Sequence, residues 1–181
     1  MKRRLCWIWQ SRHCMKSIVE HTIPPIYNEN SKILILGSIP SPKSREQAFY
    51  YAHPQNRFWP VLSALLGCDL PKTNQEKTDF LLENRIALWD VLKSCSIEGA
   101  DDSSISEPAL NDLTPILQTA KLRAVFTTGG KAASFYRSAW LPTISLPFIP
   151  LPSTSPANRG RYPMERLLEE YRVILPFLQE S

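Results

Sequence analysis

The stretch Phe49-Tyr50-Tyr51-Ala52-His53-Pro54-Gln55-Asn56-Arg57-Phe58-Trp59 concentrates groups able to recognise a flat, hydrogen-bonding ligand. Tyr50 and Tyr51 offer faces for stacking, His53, Gln55 and Asn56 offer donors and acceptors, and Arg57 offers a fixed cation. Pro54 stiffens the middle of the run and disfavours helix at His53. Such a loop suits a nucleobase, and it equally suits aromatics that merely seal a core; this stretch alone leaves both readings open. A second group, Pro152-Ser153-Thr154-Ser155, follows a short apolar run. Its hydroxyls and backbone N–H groups could grip a phosphate without net charge, although a turn of this composition standing alone is more often only a turn.

Other chemistries find little support. Gly129-Gly130-Lys131 lacks the spacing of a phosphate loop, and Ala132 follows the lysine, so a turn is expected there. No G-x-S-x-G elbow is present. His13, His21 and His53 have no metal-ligand spacing, and Cys6, Cys14, Cys68 and Cys95 form no C-x-x-C pair. Residues 94–107, polar and acidic with Glu98, Asp101, Asp102 and Glu107, are expected to be a surface loop; the acids over 98–107 could bind a cation but read more simply as a solvated face.

Composition points to one globular domain of 181 residues, 43% hydrophobic and 21% charged, with 16 prolines spread among apolar segments. No apolar stretch is long enough to span a bilayer, and the one near the start ends at Gln10, too short for a secretory core. Scattered cysteines without an export signal read as reduced thiols in a cytoplasmic protein. The net charge of +4 hints at a polyanionic partner. Yet residues 1–14 carry Lys2, Arg3, Arg4 and Arg12 and no acid; without them Lys plus Arg falls from 21 to 17, equal to the 17 acids. Met15 could serve as an alternative initiator, and the charge argument would then vanish, so total charge decides nothing. Residues 1–17 are expected to be an extension, disordered or not native, and 18–181 a single domain.

The elements that must position these groups alternate. Lys32 to Gly37 reads as a strand buried on both faces, with Ser38-Ile39-Pro40-Ser41-Pro42 as a rigid turn at its carboxyl end, where ligands gather in open α/β sheets. Helices are predicted over 57–67, 74–83, 110–119 and 131–139, and strands over 86–91, 123–128 and within 144–151. An amphipathic helix over 164–178, interrupted at Pro176, closes the chain. The pattern predicts a three-layer α/β/α sandwich around a short, mostly parallel central sheet.

Taken in order, G-S-I-P-S (37–41), Y-Y-A-H-P-Q-N-R-F-W (50–59) and L-P-S-T-S-P-A-N (151–158) resemble the uracil-DNA glycosylase superfamily. The opening and closing motifs together are most similar to its hypoxanthine (deoxyinosine) DNA glycosylase branch, and the likeness covers about residues 18 to 175. In the uracil and mismatch branches an Asp or Asn just before the first-motif proline positions water; here that residue is Ile39, and the second-motif His or Asn is Leu151. In the hypoxanthine branch the catalytic role belongs to the asparagine of the H-P-x-N segment, so the resemblance implies that role for Asn56. It implies base flipping, water attack and an abasic product, acting on DNA that contains a deaminated base, without cofactor or metal. Gly37, Ser38, Tyr51, His53 and Gln55 are the base-pocket candidates, with Tyr51 the stacking ring, Tyr50 a second wall or core, and His53 and Gln55 either edge readers or loop-shaping groups. Ser41, Pro152, Ser153, Thr154 and Ser155 are the phosphate candidates, and Asn158 and Arg159, beside Ala157, could enter the gap the base leaves. No lysine stands in these motifs, which implies a monofunctional enzyme, expected to be a monomer. The alternatives are a uracil or mismatch glycosylase and a catalytically silent lesion-binding module.

Overall fold

The computed structural model describes residues 16–99 and 101–179. At its centre β2 (Ile33–Gly37) is fully buried, as its unbroken apolar run requires of a strand covered on both faces. It pairs in parallel with β3 (Ile86–Asp90), Ile33 opposite Ile86, and with β6 (Ala124–Thr128), Ile33 opposite Ala124. The strand β7 (Phe148–Leu151) joins β6 in parallel, giving the order β3-β2-β6-β7. Side chains alternate across this sheet. Ile33, Ile35, Leu88 and Phe126 share one core with Phe58, Leu62, Leu81, Leu167 and Tyr171, which lie on α2 (Phe58–Leu66), α3 (Asn74–Glu83) and α6 (Met164–Tyr171). Leu34, Leu36 and Val125 share the other with Ile116, Ala132 and Tyr136 of α4 (Thr114–Thr119) and α5 (Gly130–Ala139). The expected α/β/α layering and parallel sheet are therefore present.

Local chemistry accounts for several boundaries. Thr73 and Glu76 close a reciprocal capping box at the start of α3, satisfying two otherwise orphaned N–H groups. Gly67 ends α2 in the left-handed region at φ 66°, where a side chain would be strained. The turn after β2 carries a short helix, α1 (Pro42–Glu46), whose first turn is capped by Ser41 accepting from the Ser44 N–H.

Three expectations are corrected. The acidic surface loop over 94–107 is instead a hairpin of β4 (Leu92–Glu98) and β5 (Asp101–Leu110), and β4 also pairs antiparallel with β1 (Ser17–Glu20) in a second, three-stranded sheet. Backbone pairing outweighs the poor strand propensity of the Asp-Ser run, because β5 is an edge strand that keeps its polar side chains in water and tolerates Pro108. Since β5 runs to Leu110, the helix expected over 110–119 is only α4. Asn111, buried between them, donates through Nδ2 to the carbonyls of Asp90 and Leu92. The closing helix breaks before Pro176, at a tighter turn over Arg172–Ile174, and resumes as α7 (Leu175–Leu178). Of the extension expected over 1–17, residues 1–15 lie outside the described residues, while Ser17 pairs with Ile97.

Candidate active site

A crevice of about 1420 Å³ opens at the carboxyl ends of the parallel strands. Its wall includes Gly37 at the end of β2 and Ser38 after it, Asp90 at the end of β3, Thr128 at the end of β6 and Leu151 at the end of β7. The three segments singled out in sequence meet there.

Asn56 is anchored by two bonds to its side-chain oxygen. The Phe58 N–H and the Thr154 hydroxyl both donate to Asn56 Oδ1, each at 2.9 Å. The first of these bonds fixes which way the amide faces, because an N–H can only meet the oxygen. The start of α2 thus orients the amide, and a residue 98 positions further along the chain locks it. Asn56 lines the crevice, and its Nδ2 group has no partner among the described residues. With Oδ1 doubly committed, the amide is a donor toward a ligand rather than a base.

Tyr51 lies in the left-handed region at φ 50°, an uncommon conformation for an aromatic residue and a local cost of about 1–3 kcal/mol. Two contacts hold it: its ring stacks on Phe58 at 3.9 Å between centroids, and its hydroxyl meets Thr128 Oγ1 at 2.8 Å. Tyr50 is core; its hydroxyl donates to the Pro24 carbonyl at 2.8 Å. His53 lines the crevice and shapes the loop, its Nδ1 accepting from the Gln55 N–H at 3.1 Å. Gln55 itself is exposed and lies outside the crevice wall.

At Gly37 the space a side chain would fill is taken by a carboxylate. A Cβ there would fall 2.1 Å from Asp90 Oδ1 and 3.1 Å from the Tyr51 hydroxyl. Asp90 is almost fully buried and its other oxygen meets His21 Nε2 at 2.8 Å. Beside it, Ser38 donates to Asp102 Oδ2 at 2.6 Å. Asp102 stands in the crevice wall and remains open to solvent through it, yet neighbouring protein atoms strip enough of its hydration to raise its pKa above the ordinary carboxylate value. Sequence reasoning missed Asp90, His21 and Asp102. The alternation of Leu92, Cys95 and Ile97, buried between polar neighbours, was the one available sign of the strand that carries the hairpin.

The last motif folds as a tight clasp. Ser153 Oγ accepts from the Ser155 N–H, Asn158 Nδ2 donates to the Ser153 carbonyl, and the Tyr171 hydroxyl donates to the Pro152 carbonyl. Thr154 lines the crevice with its side chain buried and its hydroxyl committed to Asn56. Ser41, Pro152, Ser153, Ser155 and Asn158 line the crevice, and Arg159 is exposed just beyond it. Arg57 joins the two motifs: its guanidinium is buried and donates to the carbonyls of Tyr162 and Ser155, while its own N–H donates to the Thr154 carbonyl.

A sequence model of the uracil DNA glycosylase superfamily matches residues 24–179. The chain belongs to that superfamily. Within it, the chain is 37% identical over 144 residues, 78% of this chain and 90% of the relative, to the hypoxanthine DNA glycosylase of Methanosarcina acetivorans. A hypoxanthine DNA glycosylase of Methanosarcina barkeri is 38% identical over 114 residues, 62% of this chain and 72% of the relative. The solution NMR structure of a Methanosarcina acetivorans protein described as a candidate uracil DNA glycosylase superposes with a TM-score of 0.78 at 34% identity, covering 91% of this chain and all of the other. In this glycosylase fold Ile39 and Leu151 are buried apolar residues of the crevice wall, so neither position supplies a water-holding polar group. Among the described residues no helix is long and apolar enough to cross a membrane.

Proposed function

We propose that the protein is a monofunctional DNA glycosylase that hydrolyses the N-glycosidic bond of deoxyinosine, releasing hypoxanthine and leaving an abasic site. The observation that carries this reading is the Asn56 amide, held by Phe58 and Thr154 so that only its donor faces outward. The C1′–N9 bond breaks with its electron pair passing to the purine, a cation-like sugar forms, and water adds at C1′ while its proton is lost to solvent and recovered by the departing base. Such a step needs little base strength. It needs a donor toward the charge that develops on the purine, or one that holds the water oxygen, and Asn56 Nδ2 supplies it. Tyr51 serves as the stacking wall, with Gly37, Ser38 and His53 bordering the base. Ser41, Pro152, Ser153 and Ser155 face the backbone, and Asn158 and Arg159 fill the gap left by the flipped nucleotide. Two relatives named for hypoxanthine support the choice of base. We further propose a cytoplasmic monomer.

The test uses purified protein and labelled duplexes carrying one deoxyinosine, deoxyuridine or deoxyxanthosine, in EDTA, with and without alkali. Alkali-dependent cutting chiefly at inosine is the expected result. Cutting chiefly at uracil would overturn the assignment of base, and binding of every duplex without cutting would favour a lesion-sensing module.

A further inference from the structure

Two carboxylates, Asp90 and Asp102, reach the crevice wall beside Gly37 and Ser38, and they are not equivalent. Asp90 is closed: one oxygen meets His21 and the other fills the space over Gly37. Asp102 holds one oxygen on the Ser38 hydroxyl at 2.6 Å, while Oδ1 has no partner among the described residues and the residue is open to the crevice. Ser38 follows Gly37 directly, the Tyr51 hydroxyl closes on that same glycine, and Asp102 is near enough to act electrostatically on Tyr51.

We infer that Asp102 reads the flipped base, its uncommitted oxygen accepting the N1–H of hypoxanthine while Ser38 holds the carboxylate in place. The inference rests on the proposed hypoxanthine activity. Deamination of adenine replaces the 6-amino group by a 6-oxo group and turns N1 from a lone-pair acceptor into an N–H donor. A carboxylate acceptor binds the second and repels the first, so it separates the damaged base from its parent at the atom that changes. It does not separate hypoxanthine from guanine, whose N1 also carries a proton. A site built around such a bond rejects an analogue that lacks the donor, because the charged oxygen is then desolvated without a partner. The charged and titratable groups acting on Asp102 are Asp90 from β3, Asp101 on its own strand, Lys131 from α5, Tyr51 and Cys95. Burial and the two acids favour its protonated form, Ser38 and Lys131 its ionised form, and burial dominates. Since the acceptor must be ionised, reading of the base fails as pH falls through the Asp102 titration, above the range of an ordinary aspartate.

The experiment compares single-turnover excision from duplexes carrying deoxyinosine or deoxynebularine, whose purine has an unprotonated N1 and no 6-oxo group. Asp102→Leu should lose about 10- to 100-fold on inosine and gain on nebularine, because the unpartnered charge that rejects nebularine is gone. Asp102→Asn should abolish the acid limb that the native protein shows on inosine. Equal loss on both substrates would mean a structural role, and an unchanged inosine rate would mean none; either overturns the inference alone. An inosine rate that falls as pH rises would make Asp102 a protonated donor and overturn it as well. A native protein that leaves inosine uncut removes the activity on which the inference stands.

Discussion

At the scale of single residues, the proposed chemistry turns on how an asparagine is held. Asn56→Ala should lower single-turnover excision about 100- to 1000-fold while duplex binding persists, the loss typical of one well-placed donor. Thr154→Val keeps shape and burial but removes the hydroxyl that locks Oδ1. It should cost about 10- to 100-fold in rate with little change in half-saturating DNA, because a misplaced group slows the step more than it weakens binding. An unchanged rate in this variant would show that the Phe58 N–H alone orients the amide. Gly37→Ala tests the acid beneath the wall. Its methyl would displace the Asp90 carboxylate from His21, and overpacking of this kind costs about 1–3 kcal/mol, to be read from denaturant unfolding.

The elements bring together what the chain separates, and here legibility in sequence divides. Asn74 to Glu83 was predicted with the bounds it has, on the apolar contribution of Phe80, Leu81 and Leu82, and the structure adds the Thr73–Glu76 capping box that fixes its start. The buried run ending at Gly37 announced a central parallel strand, because an unbroken apolar run needs cover on both faces. The hairpin over 92–110 was hidden, since an edge strand of Asp and Ser owes its conformation to its neighbour rather than to its own side chains. With it went Asp102. Asn56 and the clasp were legible as motifs, whereas the Thr154 bond to Asn56 was not, because side-chain partners 98 residues apart leave no periodic trace. Arg57 shows what such joins demand. Its planar fork spans two carbonyls that a lysine point charge cannot serve together. Arg57→Lys should therefore lower stability by about 1.5–3 kcal/mol and loosen the Ser155 segment to hydrogen exchange, and native-like protection there would refute the bridging role.

For the whole molecule, the crevice trades stability for an exposed acid. The folded pKa of Asp102 lies above its unfolded value, so its contribution to stability is fullest below the unfolded pKa and is lost as pH rises through the folded one. The Asp102→Asn protein should thus gain in melting temperature relative to the native protein as pH rises from about 4, then hold a constant difference once the native acid is ionised. A difference that shrinks over that interval would mean the fold favours the charged form. The clasp has a consequence for synthesis and breakdown. Asn56 and Tyr51 leave the ribosome early, but the partners that orient the amide come late: Thr154 for Asn56 itself, then Tyr162 and Tyr171 for the loop around it. A chain interrupted before those residues carries the stacking ring without the aimed donor. The crevice therefore assembles in full only after residue 171 has been made.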